Sequence, residues 1–439
     1  MHIAILGAGW AGLAAALELT QAGHQATVFE AARTVGGRAR ALPMPLPDGR
    51  TLVLDNGQHI LIGAYTESLR CMRQVGVDVQ AALLRLPLAL RFPDGSGLQL
   101  PDAPAPWNAL RGIATARGWR WADRWALLRT AHAWQRSGFA CEAQDTVADL
   151  CHALPQGLKD SFIDPLCVAA LNTPADQASG QVFLRVLQDS LFGGRGSSDL
   201  LLPRQDLGQV FPQAAQEWLQ AHGALVRLGQ RVQSLSAAPQ GDGWLVDGVP
   251  FDAVLLATPS TEAARLVSQC AHTAPYAWTV ALCDWAASAQ ALRFEAITTV
   301  YLQAVPGAGG RTLPLPMLAL RSSPQAPAQF VFDRGMLGGP SGVLAFVASA
   351  SQGEREQITR QVLAQARTQL GLVQAEPVQT VVERRATFAC TPGLQRPAAQ
   401  IAPGLWACGD YVQGPYPATL EGAVRSGVEA ARGISANHS

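Results

Sequence analysis

The chain has 439 residues, long for one core, so two intertwined domains are expected. Its 33 lysines and arginines balance 33 aspartates and glutamates, which excludes the global basic field of a nucleic-acid binder. With 48% of residues hydrophobic and 15% charged, the composition suits large buried surfaces and excludes a disordered chain.

The opening stretch, MHIAILGAGWAGLAAALELTQAGHQATVFE, lacks the cationic start of a secretion signal, since only His2 precedes Ile3. It predicts a strand over 3–6, a helix from Leu13, a stop at Gly23 and a second strand over 26–29 that ends on Glu30. Between strand and helix stand Gly7, Gly9 and Gly12, spaced G-x-G-x-x-G. Gly7 allows a tight turn, Gly9 a close approach of a pyrophosphate, and Gly12 a helix-on-sheet contact. The helix N-terminus receives the phosphate, and Glu30 accepts hydrogen bonds from ribose hydroxyls while repelling a 2′-phosphate.

Proline clusters at 43–47 and 101–106 punctuate the chain beyond Glu30, and 107–188 reads as helical. A helix is then expected over 209–222 with Gly223 as its stop. Strands come next over 224–228, 231–235, 244–246 and 253–257, and β-rich pieces at 297–302 and 343–348. The tail reads strand, loop and helix. The longest apolar contender for a membrane span, 274–292, is broken by Asp284, and no solenoid-length repeat is visible. Eight scattered cysteines without a C-x-x-C pair read mostly as small buried hydrophobes of a reducing cytosol, and no metal site is expected.

Past Glu30 comes GGRAR at 36–40, where Arg38 would lie beside a pyrophosphate. With CGDY at 408–411 and PATLEGAVRSG at 417–427, this resembles the FAD-containing amine oxidase and phytoene desaturase superfamily. The resemblance implies an α/β fold: a doubly wound FAD-binding domain built from discontinuous segments, with an inserted α+β substrate-binding domain. It implies that Gly409 and Asp410 bind the ribityl chain and that Val232 contacts the adenine side through its backbone. It also sets the helix N-terminus at Thr419 and Leu420 before the isoalloxazine carbonyl. The expected FAD-domain pieces are 1–75, 201–262 and 396–439, with substrate-domain pieces at 76–200 and 263–395.

Three longer stretches, LDNGQHILIGAY at 54–65, DPLCVAALNTP at 164–174 and DLLLPRQDLGQVFP at 199–212, look like the hydroxysqualene dehydroxylase family (squalene-associated FAD-dependent desaturases) over nearly the whole chain. That family implies a bacterial step in which hydroxysqualene, an isoprenoid, loses its hydroxyl and gains a hydride, giving squalene for hopanoids. The rivals are a phytoene-type desaturase working from oxidised FAD, an amine oxidase, and an isoprenoid escort protein without flavin. The Glu30, Arg38 and Asp410 positions speak against the last.

Within this frame His59 is a candidate proton donor or orienter of a water, with Asp55 setting its tautomer; turn chemistry is the alternative for 55–57. Asn172 offers an amide to the substrate oxygen, or simply ends a helix before Pro174. Tyr411 and Tyr416 flank the flavin-facing loop as pocket walls or cation-stabilising rings, or simply pack. Between 107 and 136, five tryptophans stand among arginines, with Trp121, Trp125, Leu128 and His132 on one helical face. This suggests either a peripheral contact with the inner face of the membrane by an otherwise cytoplasmic protein, or a solvated amphipathic helix whose tryptophans pack on the core. The glycine run 307–310 does not lead into a helix, so no second nucleotide site is read, and an external electron donor is expected.

Overall fold

The computed structural model describes residues 1–45, 51–103, 107–239, 243–307 and 311–436. Parts of the proline clusters 43–47 and 101–106 and of the glycine run 307–310 lie outside the described residues.

The opening hydrophobic run forms the strand His2–Leu6, the alanine-rich run the helix Trp10–Gln21, and the next β-branched and aromatic run the strand Gln25–Glu30. Residues 3–6 are fully buried, as expected where a parallel sheet is covered on both faces. Glycine is required at the junction. Gly7 has φ +115°, and a Cβ there would lie 2.5 Å from the Ala257 carbonyl oxygen. A Cβ on Gly12 would lie 2.0 Å from the Gly7 oxygen.

These elements enter a six-stranded sheet ordered Leu225–Leu228, Gln25–Glu30, His2–Leu6, Ala253–Leu256, Leu405–Ala407, Gln400–Ala402. All junctions are parallel except the last, where the chain turns back on itself. The sheet is thus gathered from stretches near residues 1–30, 225–256 and 400–407. The opening helix packs against the closing helix Leu420–Ala436 so closely that a Cβ on Gly427 would lie 2.2 Å from the Ala11 oxygen.

A second, antiparallel five-stranded sheet runs Met317–Ala319, Phe330–Asp333, Val343–Ser349, Phe294–Gln303, Glu376–Phe388. Strand alternation divides its side chains between two faces. Val300, Leu302, Val331, Leu344 and Phe346 pack with Ile358, Val362 and Ala366 of the helix Arg355–Leu370. Ile297, Phe330, Phe332, Val347 and Val381 face the other way, into a cavity. The stretch from 107 to 191 is helical, with a π-helical turn at Lys159–Ile163.

Two sequence expectations need correction. The helix expected over 209–222 is broken into Leu207–Val210 and Pro212–Ala221, because Pro212 has no N–H to continue the ladder and Phe211 departs to φ −156°. The strand expected over 231–235 is absent there; only Leu235–Ala237 pairs. Four backbone donors around it are spent elsewhere: Gly229 and Gln230 donate to the Ala32 and Glu30 carbonyls, and Gln233 and Ser234 donate to the Asp247 carboxylate. Val232 therefore lies on irregular chain.

Candidate active site

The two sheets enclose one cavity of about 800 Å³, within the range of small-molecule and cofactor sites. Its first part is the dinucleotide bed. Gly7, Gly9, Glu30, Arg38, Val232, Gly409, Asp410, Thr419 and Leu420 all line it. Gly12 does not; its role is the helix contact already described.

This bed can be tested for fit. A Cβ on Gly9 would meet nothing nearer than Gly37 Cα at 3.9 Å, so the space above it is open for a ligand. No side chain caps the helix that starts at Trp10, which leaves its first-turn amides directed at that space. The Glu30 oxygens accept from the Ala8 and Ala32 amides, each at 2.8 Å, so its carboxylate is fixed at the strand end with lone pairs to spare. The GGR element is clamped onto the glycine turn by Gly36 N–H donating to Ala8 O. The hydroxyls of Thr258 and Tyr411, both on the cavity wall, are buried without a hydrogen-bond partner among the described residues. Uncapped amides, an open cradle, a fixed carboxylate and two orphaned hydroxyls suit a large phosphorylated polyol such as FAD.

Arg38 spans the bed. Its Nη2 meets Asp410 Oδ1, and Nη1 donates to Ala386 O at 2.6 Å. Val232 holds the opposite wall, its carbonyl within 3.5 Å of Arg265 Nη2. The closing helix begins with Thr419, whose hydroxyl accepts from Gly422 N–H and donates to Tyr416 O. Before it, Ala418 sits at φ +59°, a strained conformation for alanine beside the cavity. Buried Glu421 accepts from Glu67 N, Ser68 N and Ser68 Oγ, pinning the helix Thr66–Gln74 to the closing helix.

The second part of the cavity is an apolar arm walled by Leu88, Leu90, Leu166, Ala170, Met317, Phe330 and Phe332. His59 lies on the cavity wall. Its Nδ1 is 2.9 Å from Gly57 O, and a carbonyl only accepts, so Nδ1 carries the proton and Nε2 is left as an acceptor. Burial holds its pKa below the usual value, which favours the neutral ring. The geometry is that of an acceptor for a hydroxyl or water, not of a proton donor.

Asp55 does not orient His59. Its Oδ1 accepts from Leu207 N–H at 2.8 Å, its Oδ2 faces Arg334 at 3.5 Å, and it is absent from the cavity wall. The strand Thr51–Asp55 ends by turning this side chain inward, where burial pushes its pKa up to about 6 despite Arg334. Asn172 is likewise engaged. It caps the helix Asp164–Leu171 in the left-handed region at φ +46°, donates to Thr387 Oγ1 and accepts from Ala350 N–H. Its amide therefore holds the wall together and is not free to meet a substrate oxygen. Tyr416, half-buried, lies between the Arg185 and Arg425 guanidiniums at 5.8 and 5.1 Å, while Tyr411 is buried against Gly409.

Glu383 was not singled out by the sequence. It projects from the cavity face of the second sheet, and its Oε2 accepts from Asn56 Nδ2 at 3.1 Å. The signal was present in the alternation Val381-x-Glu383, which places a carboxylate on an otherwise apolar face. Among the described residues no cluster of His, Cys, Asp and Glu could hold a metal ion, and no helix is long and apolar enough to cross a membrane.

Comparison with known proteins fits this geometry. Residues 10–435 match the family described as flavin containing amine oxidoreductase. The chain is 26% identical to a hydroxysqualene dehydroxylase of Rhodopseudomonas palustris, over 97% of this chain and 96% of that one. It is 27% identical to another from Zymomonas mobilis, over 97% of each. An oxidoreductase from Methanosarcina mazei superposes with a TM-score of 0.72 at 16% identity, covering 99% of this chain and 100% of that one. The chain thus belongs to the flavin containing amine oxidoreductases and is an FAD-dependent oxidoreductase of their α/β fold.

Proposed function

We propose that this protein converts hydroxysqualene to squalene in the bacterial route to hopanoids. The observation that carries the reading is the continuity of one cavity, in which the dinucleotide bed opens onto a hydrocarbon-walled arm. Such an arm suits a branched polyene. The near-full-length similarity to enzymes named for this reaction supports the same substrate.

In the reaction the allylic C–O bond breaks, its electron pair leaves with the oxygen, and that oxygen takes a proton, which two-electron-reduced FAD would supply in the overall balance alongside the hydride, and departs as water. The carbon then accepts a hydride. Bound FAD, once reduced, would supply that hydride, and Glu30, Arg38, Val232 and Asp410 would hold the cofactor. The chain's own contribution is positioning and charge. His59 Nε2 accepts the hydrogen bond of the substrate hydroxyl and fixes the C–O bond in place. Glu383, held by Asn56, sets a carboxylate where positive charge develops on the substrate. The apolar walls exclude water from the cation, and the closing-helix N-terminus at Thr419 and Leu420 favours negative charge beside it.

The test is anaerobic incubation of the pre-reduced holoprotein with hydroxysqualene, followed by chromatography for squalene. Squalene formation is expected. Its absence, with phytoene desaturated instead by the oxidised protein, would assign the rival activity. We assign the reducing equivalents to an external donor protein, and rapid flavin bleaching by NADPH alone in a stopped-flow mixer would overturn that assignment.

A further inference from the structure

The helices Trp107–Thr115 and Trp121–Arg136 and the link between them divide the tryptophans of this stretch sharply. Trp119 and Trp134 are buried, whereas Trp107, Trp121 and Trp125 are 63%, 69% and 69% exposed, beside exposed Leu110. Five arginines, 111, 117, 120, 129 and 136, are exposed around them. The one acid of 107–136, Asp123, is turned inward and bonded to Arg120. The Arg124 guanidinium lies over the Trp121 ring at 4.7 Å.

Exposed indoles ringed by cations match one environment well, the headgroup layer of an anionic bilayer, where the ring sits at the hydrocarbon boundary and arginine meets phosphate. A second copy of the chain fits poorly, because a self-complementary patch would bring the same arginines face to face. The position of the patch gives it meaning. The helix Trp107–Thr115 rests through Gly112 on Leu98 and Leu100, next to the hairpin whose Leu90 walls the apolar arm. Trp119 packs edge-on against Phe162 in the π-helical turn that runs directly into the helix Asp164–Leu171, another wall of that arm.

We infer that the face of 107–136 docks on anionic lipid and sets the apolar arm against the bilayer, so that an isoprenoid enters from the membrane. The entry route rests on the proposed substrate; the docking does not. The test is co-sedimentation of the FAD-loaded protein with vesicles of phosphatidylcholine mixed with phosphatidylglycerol, and with phosphatidylcholine alone. Binding to the mixed vesicles is expected, falling at least tenfold in W121A/W125A. In R117Q/R129Q it should fall by roughly fivefold per charge removed at low salt. The arginine variant leaves the indoles and their packing intact, so it guards against misfolding as the cause. No pelleting, or equal pelleting of wild type and both variants, would overturn the inference. So would a wild-type dimer that W121A/W125A converts to monomer in light scattering. Squalene formation from substrate in detergent micelles reads out the catalytic proposal separately: its failure alongside intact vesicle binding would sink that proposal and leave the docking standing.

Discussion

Arg38 and Asp410, 372 positions apart in sequence, meet through Nη2 and Oδ1 at 2.5 Å. The contact joins the GGR element to the tail motif and closes the cofactor bed between them. Because the same guanidinium also reaches Ala386 O, its fork is used in two directions. Replacing Arg38 with glutamine, or Asp410 with asparagine, is expected to weaken FAD binding at least tenfold, measured by fluorescence titration of the apoprotein. R38K is expected not to restore it, since an ammonium cannot reproduce the planar fork.

His59 offers an acceptor from a neutral ring. H59A is expected to lower kcat with little change in FAD content, and H59Q, which keeps an acceptor, to recover part of it. The loss from H59A should be on the order of 10²-fold, about 2.7 kcal/mol, if the bond is made chiefly as the C–O bond breaks. An equal effect on cofactor content would assign the residue to folding instead.

Asp55 gives a pH signature. Its folded pKa is raised to about 6, above the usual aspartate value near 3.9. Between those values the folded state binds the extra proton, so this group stabilises the fold most at low pH, and the effect is lost as pH rises through 6. The unfolding free energy of wild type minus that of D55N is therefore expected to fall by about 2 kcal/mol from pH 4 to pH 6, and by about 3 kcal/mol in all before it levels off above pH 7. Denaturant titrations across that range check it, and a difference that rises with pH would contradict the buried placement.

Ala170 lies on the wall of the apolar arm. A170F would fill part of that arm without touching the bed. Retained FAD with kcat/KM for a thirty-carbon substrate lowered roughly tenfold, about 1.4 kcal/mol, is the expected steady-state outcome. Loss of the flavin itself would place the residue elsewhere in the mechanism.

Gly427 stands where the opening and closing helices touch. G427A would drive a methyl group into the Ala11 carbonyl and is expected to destabilise the protein by about 1–3 kcal/mol, measured by denaturant unfolding.

The opening unit was legible in the sequence because its signals are local: the apolar run before Gly7, the glycine spacing and the strand ending on Glu30 occupy one short stretch. The break at Pro212 was local too, and it was masked only by good helix formers on either side. What a single sequence could not reveal were the contacts made at distance. Asp55 looked like a partner for His59 because it is four residues away, yet its carboxylate is claimed by Leu207 and Arg334. Asn172 looked available until Ala350 and Thr387 were brought to it. The donors that stopped a strand at 231–234 likewise found Asp247 only after the chain had folded back.

The strand order carries a consequence for biosynthesis. His2–Leu6 is flanked on one side by Gln25–Glu30, which follows it closely in translation. Its other neighbour is Ala253–Leu256, which is translated more than two hundred residues later. Until then one side of a largely apolar strand has unmet backbone groups, a template for illicit pairing with other nascent chains. Slowing translation ahead of residue 253, or depleting the chaperones that shield such edges, should divert this protein to aggregates long before its flavin could rescue it.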